Sequence, residues 1–207
     1  RCHHRRHRLD GDRLAPGQGQ AGSPGKKMSR WIYLAPVAGF ALLAFFLFRS
    51  LWSPAPSDIP SALLNKPAPR LDLPGLDAQS AAFTPADLAS GHVSVINVFA
   101  SWCAPCRTET GQLAALSHVP GIALYGMTQK DKPDATRAFL NEVGNPFSRI
   151  ARDDDGRASI EWGVYGVPET FVVDGKGIIR LKYVGPLSDQ VLSTEVMPAI
   201  QAAEANP

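Results

Sequence analysis

The chain is poor in cysteine. Its 207 residues hold three, Cys2, Cys103 and Cys106. A structural zinc site takes four Cys or His ligands. Only two cysteines stand together here, and the histidines nearest them, His92 and His118, lack ligand-like spacing. Charge of one sign is scarce as well. The formal net charge is +2, and residues 1–30 hold eight Lys or Arg against Asp10 and Asp12, so the remainder is mildly acidic. Global charge therefore gives no argument for a nucleic-acid partner. No internal repeat is visible. The length suits one compact domain with extensions.

What is present is a dithiol. Trp102-Cys103-Ala104-Pro105-Cys106 follows an apolar run, Val93–Phe99. Two cysteines spaced C-x-x-C at a strand-to-helix turn read as a redox pair. That spacing lets the sulfurs close a small disulfide loop and reopen it. Cys103 at the helix start is placed where unpaired N–H groups and the helix dipole favour a thiolate. Such sites can bring a cysteine pKa from about 8.5 to as little as ~3.5. Cys103 is the expected nucleophile and Cys106 the resolving thiol. Half of a zinc site or a structural disulfide are the alternatives.

Residues 1–27 are rich in Arg, His, Gly and Pro and lack apolar periodicity; Met28 is the first methionine. Cys2-His3-His4 with His7 reads either as a metal-binding tract or as a segment that is disordered or not translated. The expectation for 1–29 is the second. Residues 31–48 carry no charge, and a helix of that length spans ~27 Å, about a bilayer core. Lys26, Lys27 and Arg30 precede it and Arg49 follows, which predicts N-in orientation. Trp31, Tyr33 and Trp52 stand at interfacial positions. An uncleaved anchor over 30–50 is expected; a cleaved signal peptide is the alternative. Either one exports the rest to an oxidising compartment. Residues 51–69, with five prolines from Pro54 to Pro69, predict a semi-stiff tether. A globular domain over 70–203 and a tail at 204–207 complete the expected organisation.

Within the domain, 70–73 reads as a first strand. Thr84 followed by Pro85 predicts a helix start. Val93–Phe99 predicts a buried central strand, 104–117 a helix, 122–127 a strand, and 134–143 a helix ending near Gly144-Asn145-Pro146. Residues 147–150 form a short strand or loop. Asp153-Asp154-Asp155-Gly156 reads as a solvated turn, since a calcium loop needs more ligands at wider spacing. A helical turn at 158–162 follows. Strands at 170–173 and 178–183 flank the hairpin signal Asp174-Gly175-Lys176-Gly177, and a helix spans 188–202. An early βαβ unit gives parallel strands and the late hairpin antiparallel ones. The expected class is α/β: a thioredoxin-like fold, a central mixed sheet flanked by helices, with an N-terminal transmembrane helix.

Two glycines and a proline precede the 170–173 strand, in Gly163-Val164-Tyr165-Gly166-Val167-Pro168. This predicts a cis bond before Pro168. In a thioredoxin layout the loop lies across from the dithiol, where the Val167 backbone can receive an extended substrate segment. An ordinary trans-proline turn is the alternative.

Together, VINVFASWCAPCRTE, GNPF, GVYGVPETFVVDGKGIIR and KYVG resemble the CcmG/DsbE-type thiol–disulfide oxidoreductases of cytochrome c biogenesis. The resemblance covers about residues 60–203 and the anchor. It implies a membrane-tethered periplasmic reductant with a Cys103–Cys106 redox disulfide and no metal or other cofactor. The electron acceptor implied is apocytochrome c, at its C-x-x-C-H haem-attachment cysteines, or a CcmH-type maturation protein. The donor implied is a transmembrane thiol carrier of the CcdA/DsbD kind.

The resemblance also weights single residues. Glu109, one helical turn beyond Cys106, is the expected active-site acid, against a plain Glu favoured near a helix start. Glu169 is expected to face the same region and make it acidic, against a surface strand-edge Glu. Asn97 replaces the buried Asp of ordinary thioredoxins; Asn cannot accept a proton, which shifts weight to Glu109. Trp102 shields the disulfide or packs in the core. Tyr165 lines the substrate groove or packs. Trp102, Tyr165, Val167, Pro168 and Glu169 form the expected substrate-binding set. His92 is expected at the surface. Two other functions compete: a general envelope disulfide reductase, and a Cu(I) carrier on the two sulfurs. Copper-delivery relatives of this fold use C-x-x-x-C with a separate histidine, one residue longer than the spacing here.

Overall fold

The computed structural model describes residues 31–51, 61–77 and 81–205. The expectations for residues 1–29, for Trp52 and the prolines of 52–60, and for 206–207 lie outside the described residues. Helix α1 (Trp31–Leu51) forms one unit. It contains Pro36, carries Arg49 in its last turn, and exposes Phe40, Phe45 and Phe46. Among the described residues no helix is long and apolar enough to cross a membrane.

The second unit is built on five strands. Helix α2 (Pro85–Leu88) leads into β1 (Val93–Phe99), then α3 (Ala104–Thr108), α4 (Thr110–Ser117), β2 (Ile122–Gln129), α5 (Pro133–Val143), β3 (Arg149–Asp153) and α6 (Arg157–Glu161). Strands β4 (Glu169–Val173) and β5 (Ile179–Val184) follow, then α7 (Asp189–Val191), a π-helical turn (Leu192–Val196) and α8 (Met197–Ala205). The sheet order is β3-β2-β1-β4-β5. β1 runs parallel to β2, and β2 to β3, while β4 is antiparallel to β1 and β5. This is the expected mixed sheet with flanking helices.

All seven β1 residues are buried, as a strand covered on both faces requires. Alternation sends Val93, Val95 and Phe99 to one face, under Leu113, Leu116, Phe139 and Ile200. Ile96 and Val98 point to the other, with Phe171, Val173 and Trp162. Phe99 stacks on Phe147 at 4.9 Å on the first face, and Trp162 meets Phe171 edge-on at 5.1 Å on the second. Buried aromatics of this kind hold the two layers in register.

Thr84 forms the expected helix start, a reciprocal capping box with Asp87. Five expectations need correction. Residues 70–73 form no strand: Pro69 and Pro74 bracket the segment and limit any ladder to the four residues between them. The chain meets β3 just beyond it, at a single bridge between Gly75 and Ala151 with Leu76 N donating to Ile150 O and Arg152 N to Pro74 O. Residues placed in the tether reach into the domain, since Asn65 N donates to Ile179 O and Ala68 N to Gly177 O.

The 104–117 helix breaks at Glu109, whose φ is −97° and ψ 0°. The Asp153 turn is not simply solvated. Asp153 is buried and accepts from Ser159 N at 2.7 Å and Ser159 Oγ at 2.6 Å, tying down α6. The closing helix also widens at Leu192–Val196. There Ser193 and Thr194 hydroxyls both donate to Gln190 O at 2.9 Å, and such side-chain bonds compete with the helical ladder.

Candidate active site

Cys103 and Cys106 are joined by a disulfide, with Cα atoms 5.4 Å apart. Cys103 is the N-cap of α3, and its sulfur accepts from Cys106 N at 3.1 Å. Both residues are nearly enclosed, at 3% and 2% exposure, whereas Trp102 beside them is 60% exposed. Trp102 is thus a surface platform rather than a core residue. Its Nε1 donates to Lys130 O at 3.4 Å.

The turn carrying the dithiol is held from below by Asp131. Its carboxylate accepts from Ser101 N at 2.7 Å, Ser101 Oγ at 2.8 Å, Lys132 N at 2.9 Å and Thr136 Oγ1 at 2.9 Å. One carboxylate therefore joins the end of β2, the start of α5 and the residue before Trp102. The sequence reading missed it. The available signal was an acidic residue just after a strand and one position before the N-cap, Lys132, of a helix that opens on Pro133.

Behind the disulfide, Glu109 is fully buried. Its Oε1 accepts from Asn97 Nδ2 at 3.0 Å and its Oε2 from Leu187 N at 2.8 Å. Asn97 Nδ2 also donates to Thr170 Oγ1 at 3.1 Å. Burial pushes the Glu109 carboxyl up to about 7, against the opposing pull of the Leu187 and Asn97 bonds. Tyr183 pairs with Thr170 across β4 and β5, on the same face. Burial and the charges of Glu195 and Glu109 raise its phenol above the ordinary value. Cys106 and Asn97 share a narrow cleft with Phe99, Leu113, Phe139 and Phe147. A carboxyl that titrates near neutrality in this layer is suited to hold or release a proton during thiol exchange.

The other half of the site is the loop before β4. The Val167–Pro168 bond is cis, as expected. Val98 pairs with Glu169, so the loop arrives beside the end of β1, the end from which the dithiol turn departs. Pro168 is buried, Val167 is half-buried and Tyr165 is 67% exposed. His92 is exposed.

Glu169 departs from expectation. It is fully buried and lies on the strand face of Phe171 and Val173, opposite the face of Asn97, Thr170 and Glu109. It therefore does not acidify the dithiol surface. Its Oε1 accepts from Tyr165 N at 2.7 Å and Gly166 N at 3.3 Å, and Oε2 lies 3.1 Å from Lys182 Nζ. Lys182 is a second residue that sequence reasoning missed. The signal was its parity: it pairs opposite Phe171, so it shares a face with Glu169 on the next strand.

Residues 64–182 match the AhpC/TSA family. The chain is 41% identical over 174 residues to thiol:disulfide interchange protein DsbE of Pseudomonas aeruginosa, covering 84% of this chain and 95% of that one. The chain belongs to the DsbE-type thiol:disulfide interchange proteins. HelX of Rhodobacter capsulatus, another thiol:disulfide interchange protein, is 41% identical over 167 residues, 81% of this chain and 92% of its own. A crystal structure described as DsbE from Chlorobium tepidum superposes with a TM-score of 0.57 at 27% identity, covering 68% of this chain and 97% of that one. The protein is thus a thiol–disulfide oxidoreductase of thioredoxin-like fold, and Cys103–Cys106 is its redox disulfide.

Proposed function

We propose that this DsbE-type protein acts in cytochrome c maturation, as a membrane-anchored periplasmic reductant. It passes two electrons to the haem-attachment cysteines of apocytochrome c or to an intermediary CcmH-type maturation protein. A transmembrane thiol carrier of the CcdA/DsbD type recharges it. Residues 30–50 serve as an uncleaved anchor with its N-terminus inside. The charge-free stretch 31–48 and its basic flanks support this. Residues 1–29 lie outside the working protein, 51–60 act as the tether, and the domain that carries the chemistry starts at 61, whose following segment bonds to β5, and runs through α8.

The chemistry is exchange. Cys103 thiolate attacks one sulfur of a substrate disulfide, the other substrate sulfur leaves as thiolate, and a mixed disulfide forms. Cys106 then attacks the Cys103 sulfur. The second substrate thiolate leaves, and Cys103–Cys106 is closed as an oxidised pair. The substrate has gained two electrons and, from solvent, two protons. The donor reverses the sequence. Glu109 takes the Cys106 proton before that second attack. Trp102, Tyr165 and the Val167 backbone at Pro168 receive the substrate, and Glu169 acts through the loop rather than by contact.

The observation that carries this is the pairing of Val98 with Glu169. It brings an exposed aromatic loop to the same sheet end as a closed dithiol flanked by exposed Trp102. Haem attaches to free thiols, so a reductant in an oxidising compartment must find one target and spare structural disulfides. A tether and a shaped docking loop meet that need. The test is to express Cys106→Ser with residues 28–207 in the membrane and identify what is disulfide-linked to Cys103 by mass spectrometry. Apocytochrome c or a maturation partner is expected. A broad set of unrelated envelope proteins would instead make the protein a general disulfide reductase.

A further inference from the structure

We propose that Lys182 is a positioning residue for substrate recognition, setting the docking loop through a buried ion pair with Glu169. This rests on the reading of residues 163–168 as the docking loop. The Lys182 side chain is 3% exposed and that of Glu169 is 0% exposed. Two charges so fully removed from water are expensive, and they persist only where surrounding groups satisfy them. Here the satisfying groups belong to the loop. Glu169 Oε1 holds the Tyr165 and Gly166 amides, and Lys182 Nζ donates to Gly163 O. The same ammonium sits 3.8 Å from the centre of the Tyr165 ring and 5.8 Å from that of Phe171, within cation–π range. The contact between Nζ and Oε2 is ionic, since Oε2 makes no well-angled hydrogen bond.

The loop is thus gripped at three backbone points and one ring. Yet Tyr165 itself is 67% exposed. An exposed ring fixed by buried charge is preorganised for contact: it loses little freedom when a partner covers it. A purely structural ion pair has no need to spend its contacts on one surface loop. Both charges lie on the sheet face away from Asn97 and Glu109, so they set docking without entering the exchange chemistry.

The test compares Lys182→Met, Lys182→Arg and the charge-neutral pair Glu169→Gln/Lys182→Met in the full chain. Each is assayed in its reduced form against two disulfides. One is an oxidised peptide containing C-x-x-C-H; the other is a small aromatic disulfide that needs no docking loop. Lys182→Met should raise KM for the peptide about tenfold with kcat changed less than about twofold. Turnover of the small disulfide should stay at the wild-type rate. Lys182→Arg should restore the peptide KM. If the single variant fails to fold, the neutral pair, which leaves no lone buried charge, should show the same raised KM. An unchanged peptide KM in a folded variant overturns the role of Lys182, as does an equal loss on both substrates. A wild-type protein that treats peptide and small disulfide alike overturns the docking-loop reading beneath it as well.

Discussion

Asn97 Nδ2 lies 3.0 Å from Glu109 Oε1. That single bond ties the central strand to the break between α3 and α4, directly behind the disulfide. It also explains how a carboxyl can be enclosed without a cation. Asn97 and the Leu187 amide supply donors, which offset part of the desolvation without cancelling it. The carboxyl is left titrating at about 7. Where an ordinary thioredoxin places its acid on the strand, this chain places an amide on the strand and the acid at the break between α3 and α4.

Glu109 should make stability fall as pH rises. The folded protein keeps its proton up to about 7, while the unfolded chain releases it near 4.5. Between those values the native state binds more protons, so the free energy of unfolding declines with pH. The contribution is complete below about 4.5 and gone above about 7, on the order of 3 kcal/mol in all. Glu109→Gln should flatten that part of the curve. Urea melts of the oxidised protein at several pH values between 5 and 8 test it. Parallel curves for the two proteins would refute the assignment.

Asn97→Asp should create a coupled carboxyl pair. The new oxygen would replace a donor 3.0 Å from Glu109 Oε1, and two carboxylates at that distance do not both ionise near neutrality. One proton would be shared, and the apparent pKa of the pair would rise above that of Glu109 alone. The variant should therefore lose more stability than wild type between pH 7 and 9. Denaturant melts across that range give the proton count from their slope. A slope equal to that of wild type above pH 7 would contradict the prediction.

How much of this was legible depends on the distance over which each feature is encoded. The dithiol, the uncharged β1 run, the Thr84 cap and the Asp174–Gly177 hairpin are written in neighbouring residues, and local chemistry is enough to find them. The partners that make the site work are not. Glu109 and Leu187 lie 78 residues apart in sequence and Ser101 and Asp131 lie 30 apart, and only the fold brings them together. Glu169 shows the same limit more sharply. Its place beside Pro168 is visible in sequence, but the face it points to follows from strand register, and a one-residue shift inverts it. Residues 70–73 alternate like a strand, yet they pair with no neighbour, and the chain meets β3 only after Pro74.

Asp131→Ala should loosen the dithiol turn while leaving the sulfurs in place. Four donors lose one acceptor residue, two of them on Ser101. Bonds to a charged group contribute about 1.5–3 kcal/mol each, but the half-open site lets water replace some, so a loss of about 3 kcal/mol is expected. Trp102, one residue on and already exposed, should report the change: its emission intensity in the folded state should alter as the indole moves relative to the neighbouring disulfide, a quencher. A destabilised variant with unaltered Trp102 emission would place the clamp's effect on α5 alone.

Gly175→Ala tests whether the far end of the sheet is insulated from the site. A Cβ at Gly175 would stand 2.6 Å from Gly91 C and 2.8 Å from Gly91 O, both backbone atoms. Backbone cannot rotate away as a side-chain tip can, so one of the two turns must shift. Overpacking of this kind costs about 2 kcal/mol. The two turns are also joined by Gly91 N to Gly175 O at 3.0 Å, and that bond would lengthen. The damage should stay local. Val173 pairs with Ser94, at the start of β1, whereas Glu169 pairs with Val98 near its end. The dithiol and its docking loop hang from that second end. Thermal melts should therefore show the loss, while the rate of peptide-disulfide reduction, measured well below the midpoint, should match wild type. A slowed reaction in the folded variant would mean that strain in the hairpin travels along β4 to the loop, and the independence argued from register would fail.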